Sequence, residues 1–152
     1  MADVKGYKMP DDLFYHKDFS WVRFEEGDIV RVGLLDFAQA EAGDITYVDM
    51  PFEGDAVQAN ETCGKVQSAK WIGKLVAPLS GEIVEVNYEL EGDATLINRD
   101  CYGDGWIFTM RPSDLESEKA ALMQGAAAAA WLEKEIAAVE QGKAEGKSYA
   151  QE

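Results

Sequence analysis

The chain has 152 residues, of which 47% are hydrophobic and 28% are charged, a composition typical of one folded domain. Its 29 acidic residues outnumber 14 basic ones, which gives a formal net charge of −15. Because so acidic a surface repels phosphate backbones and anionic lipid head groups, the charge argues against binding to nucleic acid or to a membrane surface. The longest apolar run, Ala126–Leu132, is far shorter than the ~20 residues of a membrane-spanning helix.

The first residues, Met1–Gly6, lack the apolar stretch of a secretory signal. Two cysteines in a chain without such a signal favour reduced thiols over a disulfide scaffold. We therefore expect a cytoplasmic protein.

The first third of the chain combines short strands with one short helix. Alternation in Trp21–Phe24 and in Ile29–Leu34, across a Glu-Glu-Gly-Asp turn, predicts a hairpin. Between Asp36 and Gly43 the residues favour one or two helical turns, with Asp36 as the N-cap and Gly43 as the stop.

From Asp44 to Met110, short β-branched runs alternate with Gly, Pro, Asn and Asp. Strands this short and this evenly punctuated predict a β-sandwich or a barrel. The runs are Ile45–Asp49, Ala56–Ala59, Lys65–Ser68, Leu75–Ala77, Glu82–Asn87 and Trp106–Met110.

The same region contains an internal repeat. Glu-Gly-Asp-Ala, Asn and Cys recur at identical spacing in residues 53–63 and 91–101, so six positions in eleven match at an offset of 38 residues. Two similar strand–turn–strand units would explain this match. We favour the stronger interpretation, a quasi-symmetric sandwich whose two halves share a topology.

A helix follows the strands. Ser113–Glu116 has the Ser-x-x-Glu capping pattern, and the apolar positions after it keep a helical period through a run of alanines. This pattern predicts a helix over about 113–141 that packs one stripe on the sandwich while its second half protrudes. We expect residues 1–142 to form a single domain and the polar residues 143–152 to fray.

Residues with conventional catalytic or metal-binding chemistry are scarce. His16 is the only histidine, and its aromatic, charged surroundings favour a surface or packing role. The two cysteines do not form a Cys-x-x-Cys pair, so no metal site is predicted. Gly103–Trp106 precedes a strand rather than a helix and is interpreted as a turn, not a phosphate loop. No catalytic residue is predicted.

One lysine has an unusual setting. Lys70 lies between two strand-like runs, beside small residues and shortly before a Pro and Gly turn. A lysine at a hairpin tip is presented to solvent and to modifying enzymes, and an ordinary exposed turn lysine is the alternative.

Several segments between Leu13 and Ser113 form a specific combined pattern. They are Asp12–Tyr15, Trp21–Arg23, Val32–Gln39, Gly43–Val48, Cys63–Lys70, Ala77–Asn87 and Tyr102–Trp106. Together they resemble the lipoyl carriers related to the glycine-cleavage H protein. The resemblance implies a mainly β barrel-sandwich hybrid with a quasi-two-fold axis, a short N-terminal hairpin and helix, and a C-terminal helix.

The resemblance also implies a covalent cofactor. Lys70, rather than Lys65 or Lys74, falls on the position that carries lipoic acid in amide linkage, attached by a lipoate–protein ligase. Its neighbours in the attachment hairpin are Gln67, Ser68, Ala69 and Trp71. Such a protein is a carrier and not an enzyme, and its arm shuttles thiol-bound intermediates and electrons between partner enzymes.

Around the lysine the chain departs from the usual H protein. Gln67 replaces an acidic residue, Trp71 a small one, Cys63 an aromatic one and Cys101 a proline. Shortly before Trp21, Phe19 replaces a histidine. Changes around a tether alter what a partner recognises.

These departures are similar to the lipoate-binding proteins of sulfur-oxidising prokaryotes, which work with a heterodisulfide-reductase-like complex. We favour that pathway. The first alternative is glycine cleavage, with glycine decarboxylase, aminomethyltransferase and dihydrolipoamide dehydrogenase as partners. A remote alternative is an interaction module that carries no lipoyl group.

The two cysteines have either a packing role or a role as thiols that hold a sulfur species. The second role would need exposure and a lowered pKa. Strand rise places Cys63 up to roughly 23 Å from the lysine, and quasi-symmetry places Cys101 nearer to it, so we expect no disulfide between them. We expect Cys63 to be structural and leave both roles open for Cys101.

Overall fold

Residues 2–69 and 72–144 are described by a computed structural model in which short strands predominate. The strands are β1 (Ala2–Val4), β2 (Tyr7–Met9), β3 (Phe14–His16), β4 (Ser20–Glu25), β5 (Ile29–Leu34), β6 (Ile45–Asp49), β7 (Ala56–Val57), β8 (Thr62–Ser68), β9 (Ile72–Val76), β10 (Gly81–Val86) and β11 (Phe108–Pro112). The helices are α1 (Asp36–Ala42), α2 (Glu89–Gly92), α3 (Leu96–Asp100), α4 (Leu115–Glu118) and α5 (Gly125–Ala144), with a 3-10 turn at Lys119–Ala121.

Two antiparallel sheets share the main core. One has six strands in the order β3-β4-β5-β11-β10-β7, and the other has three in the order β6-β8-β9. Val22 and Val32 of the first sheet and Val48 and Val66 of the second are buried in one hydrophobic cluster. Both sheets therefore contribute side chains to one shared core. The predicted mainly β sandwich is confirmed.

The predicted hairpin and short helix are present as β4–β5 and α1. Trp21 pairs with Gly33 across the hairpin, and a Cβ on Gly33 would lie 2.6 Å from the Trp21 ring, so glycine makes room for the indole. Helix α1 ends at Ala42, and its C-cap is Gly43, whose φ of 77° suits glycine. The predicted N-cap is wrong: Leu35 occupies that position, and the Asp36 carboxylate instead accepts a hydrogen bond from the Lys8 amide.

The internal repeat does not produce two similar strand–turn–strand units. Residues 53–63 form a turn, β7 and the start of β8, whereas residues 91–101 lie in α2, the following turn and α3 together with its C-cap, Cys101. Leu90, just before the second copy, and Ala94, Ile97 and Cys101 within it are buried at steps of four, three and four, which is a helical period. The six matching residues therefore occupy different secondary structures.

The C-terminal helix is broken where one continuous helix over 113–141 was predicted. Helix α4 begins after Asp114, and no side-chain capping bond is formed, so the predicted capping box is also wrong. After the 3-10 turn, Leu122 is extended and Met123 exchanges two backbone hydrogen bonds with Tyr15, at 2.8 and 2.9 Å. This pairing interrupts the helix before α5.

Helix α5 packs along its length rather than protruding. Ala128, Leu132, Ile136 and Val139 are buried in a second cluster with residues of the N-terminal strands and α1. Residues 143 and 144 of the predicted polar tail belong to α5, and residues 145–152 lie outside the described residues. Across the described ranges, no helix is both long and apolar enough to cross a bilayer.

Candidate functional site

Strands β8 and β9 form the hairpin in which the candidate lysine was predicted, here called the lysine hairpin (residues 62–76). Gln67 pairs with Ile72, and the pairing continues down both strands to Thr62 and Val76. Lys70 and Trp71 lie outside the described residues, between the described ends Ala69 and Ile72. Both of these ends are exposed.

The other two lysines of the hairpin are in the strands rather than between them. Lys65 and Lys74 pair with each other across β8 and β9, two pairing positions from the Gln67–Ile72 pair towards the base of the hairpin. Both side chains are exposed on the sheet face. Their place within the ladder distinguishes them from the position between the strand ends.

The end of β8 is attached to the rest of the fold by side-chain hydrogen bonds. Ser68 Oγ donates to the Ala42 carbonyl of α1 at 2.6 Å, and Thr46 Oγ1 of β6 donates to the Gln67 carbonyl at 3.3 Å. Near the start of β8, Gly64 lets this strand lie close to β6, because a Cβ there would be only 2.0 Å from the Asp49 carbonyl oxygen. Only glycine allows β6 to approach β8 this closely.

Asn98 of α3 supports the same region and was not singled out by the sequence analysis. Its side-chain amide donates to the Gly43 carbonyl at 2.8 Å, and its Oδ1 accepts from the Ile45 amide at 2.8 Å. Asn98 thereby fixes the start of β6, whose Ile45 pairs with Ser68. The repeat included this asparagine, but a spacing match does not reveal which backbone groups the side chain bonds.

His16 is a packing residue, as predicted. It is buried, its Nε2 donates to Asn60 Oδ1 at 2.7 Å, and its Nδ1 accepts from the Asp18 amide at 3.0 Å. Both ring nitrogens are engaged in this arrangement, so the imidazole links the β3–β4 turn to the loop before β8.

The cysteines are both free thiols, and burial affects each strongly. Cys101 is buried and Cys63 is partly exposed. Desolvation by burial is the main cause that raises the pKa of each thiol to about 12, and neighbouring carboxylates add to it. Neither thiol therefore has the lowered pKa that a reactive role requires.

Comparison with known proteins agrees with this architecture. A family model described as "Glycine cleavage H-protein" matches residues 13–135. The glycine cleavage system H protein of Halalkalibacterium halodurans is 44% identical over 106 residues, which cover 70% of this chain and 82% of that protein. The probable glycine cleavage system H protein of Thermococcus gammatolerans is 38% identical over 133 residues, 88% of this chain and 98% of that protein.

A solved structure is also similar. The crystal structure of a glycine cleavage system H protein from Mycobacterium marinum superimposes with a TM-score of 0.66 at 39% sequence identity. The match covers 69% of this chain and 87% of that chain.

The sandwich with its anchored lysine hairpin defines a lipoyl-carrier domain, and the protein is a carrier rather than an enzyme. The chain belongs to the glycine cleavage H-protein family. Proteins of this family carry lipoic acid covalently attached to a lysine.

Proposed function

We propose that Lys70 is the lysine that carries the lipoyl group. The described residues on either side of it, Ala69 and Ile72, are exposed, whereas Lys65 and Lys74 are paired within the strands. Gln67, Ser68, Ala69 and Trp71 are the proposed hairpin neighbours that a lipoate–protein ligase would meet.

The described residues fit such a group because the end of β8 is held to the core and the residues on either side of Lys70 and Trp71, Ala69 and Ile72, are exposed. Ser68 and Thr46 hold the end of β8 to α1 and β6, so the strand end has one position relative to the core. When bound, the lipoyl group supplies a disulfide that exchanges with thiols at the end of a long arm. Residues 1–142 are proposed to act as one carrier domain.

We further propose that the protein serves glycine cleavage, carrying an aminomethyl group between glycine decarboxylase and aminomethyltransferase, with dihydrolipoamide dehydrogenase as the third partner. The observation that carries this proposal is that a family model and relatives covering up to 88% of the chain bear the glycine cleavage name. The proposed location is the cytoplasm, as expected from the sequence.

A second candidate is cytoplasmic sulfur oxidation with a heterodisulfide-reductase-like complex. It rests on the substitutions around the lysine, above all Gln67 and Trp71, which would alter recognition by glycine cleavage enzymes. The raised pKa of both cysteines gives this candidate no additional support.

Reconstitution tests the attachment site first. Incubation with a lipoate–protein ligase and lipoate is expected to add one lipoyl mass to the wild-type protein and to Lys74→Arg, but none to Lys70→Arg. Lys74→Arg is the matched control, because it makes the same substitution in the same hairpin. A modified Lys70→Arg protein would overturn the assignment, and an unmodified wild-type protein from lipoate-replete cells would support an interaction module.

The lipoylated protein is then offered to both enzyme systems. We expect it to support glycine–CO2 exchange by glycine decarboxylase. Exchange at background level, together with reduction of the arm by the sulfur-oxidising complex, would replace the proposed pathway with the second candidate.

A further inference from the structure

Three large side chains that are unusually exposed line one cleft beside the lysine hairpin. Tyr47, Phe52 and Tyr88 are 51%, 77% and 58% exposed. The cleft, here called the aromatic cleft, has a volume of about 610 Å³ and lies where the segment after β6 meets the end of β10 and α2. Its apolar floor includes Val86 and Leu90. Clustered exposed aromatic residues are typical of protein-binding surfaces.

The rim of the aromatic cleft is acidic. Asp49, Glu53 and Glu91 line it, and no basic residue is among its described lining. Partial desolvation and the neighbouring carboxylates of Glu53 and Glu91 raise the pKa of Tyr88. A partner that fills the cleft with an apolar side chain therefore meets carboxylates around it, which favour lysine or arginine on the partner.

The turn that presents Phe52 is firmly attached. The Phe52 amide donates to Asp55 Oδ2 at 3.0 Å, and the Gly54 amide donates to the Ile83 carbonyl at 2.8 Å. The Ile83 amide donates in return to the Asp55 carbonyl at 2.8 Å. The ring is thus exposed on a fixed turn, and little conformational entropy is lost when a partner covers it.

The aromatic cleft is continuous with the lysine hairpin. Tyr47 pairs with Gln67 on β8, and Gln67 pairs with Ile72 on β9, so the three side chains form one row across the sheet. Neighbouring strands lie ~4.8 Å apart, which places Tyr47 within roughly 10 Å of β9. Ile72 is itself 58% exposed. A protein that covers the cleft therefore also reaches the end of the hairpin.

We propose that the aromatic cleft is the docking surface for a partner enzyme that acts on the arm, and that this enzyme inserts an apolar side chain from a lysine- or arginine-rich surface. The proposal rests on the proposed attachment of the arm at Lys70 and names the recognition that would bring an enzyme to it. A second copy of this chain is a poor occupant, because two molecules of net charge −15 repel each other.

Kinetics with fully lipoylated protein test the docking surface. The variants are Phe52→Ser, which removes the most exposed ring, and Glu53→Lys/Glu91→Lys, which reverses two charges on the rim. The control is Glu26→Lys, in the exposed β4–β5 turn at the opposite end of the large sheet from Val86. Each protein is titrated as substrate of glycine decarboxylase and of aminomethyltransferase.

We expect both cleft variants to raise the apparent KM for the carrier about tenfold with at least one enzyme, with kcat nearly unchanged, because docking and not chemistry is altered. Increasing salt should raise the KM of wild type and Glu26→Lys more than that of the double charge reversal. Cleft variants that match Glu26→Lys with both enzymes would overturn the docking surface. A wild-type protein inactive with both enzymes would instead refute the proposed function, so the two failures are distinct.

Discussion

Cys63 and Cys101 each have a thiol whose pKa is raised to about 12 from an ordinary value of 9.0. Since only the thiolate attacks a disulfide reagent, the raised pKa lowers the reactive fraction at pH 8 by roughly a thousandfold. We expect slow labelling of both thiols by Ellman's reagent in the folded protein. The labelling rate should keep rising from pH 8 to pH 10, because the thiols titrate above this range.

Denaturant provides the control for that experiment. Both thiols should react at the rate of an ordinary cysteine once the chain is unfolded. Rapid labelling of Cys101 in the folded protein would contradict its burial and return it to the candidate reactive thiols.

Gly54 and Gly92 are equivalent in the sequence repeat but differ in backbone conformation. Gly54 has a φ of 91°, and Gly92 is a helical residue with open space where a Cβ would be. Gly54→Ala is therefore expected to lower the free energy of unfolding by about 1–2 kcal/mol. Gly92→Ala should raise it by about 0.5–1 kcal/mol, since alanine favours a helix.

Denaturant unfolding of the two variants measures this difference, and each serves as the control for the other. Equal effects would mean that both halves of the repeat share one backbone conformation, which would contradict the helical conformation of Gly92 in α2.

At the scale of elements, an ion pair joins the two strands of the β4–β5 hairpin. Arg31 donates to both Glu25 oxygens at 2.8 and 3.1 Å, and this bonding lowers the pKa of the Glu25 carboxyl below its usual 4.5. A lowered folded-state pKa stabilises the protein above the unfolded pKa, and the contribution is lost as pH falls through the folded value. We expect Glu25→Gln to cost about 0.5–1 kcal/mol at pH 7.

The pH profile identifies the cause. The difference in unfolding free energy between Glu25→Gln and wild type should shrink towards zero as pH falls below about 4. Glu26→Gln, the adjacent exposed carboxylate in the turn, is the control. A difference that persists at low pH would mean that packing, rather than the charge, stabilises the hairpin.

The elements that were predicted correctly are those whose evidence is local. Alternation in β4, β5 and β10 and the stop at Gly43 lie within a few residues of one another. The break before α5 depends on Tyr15, which pairs with Met123 from the other end of the chain, so helical periodicity alone could not show it. The period of four, three and four through α2 and α3 was visible in the sequence, but the match to the first repeat suggested strands instead.

The candidate site could likewise be predicted only where its evidence is local in the sequence. The lysine hairpin follows from strand patterning and from a family resemblance, both of which are present in the sequence. The aromatic cleft could not be predicted, because Phe52 and Tyr88 meet only where the segment after β6, in one sheet, approaches the end of β10, in the other.

At the scale of the whole molecule, the net charge of −15 opposes compaction. Salt screens such repulsion, and the Debye length falls from ~30 Å at 0.01 M to ~10 Å at 0.1 M. We therefore expect the melting temperature to rise by several degrees between these two NaCl concentrations. KCl is the control, since screening by monovalent salts depends on ionic strength. An unchanged or lower melting temperature would show that self-repulsion does not limit stability.

The hydrogen bond from Ser68 to Ala42 has a consequence for how far any cargo travels. Because the end of β8 is secured to α1 and β6, a group attached at the proposed site, Lys70, would be tethered two residues beyond a fixed strand end at Ser68. Without the Ser68 hydroxyl, the strand end would be less firmly positioned. The distance over which the arm can reach two enzymes in turn would then depend on motion of the strand as well as on the length of the tether.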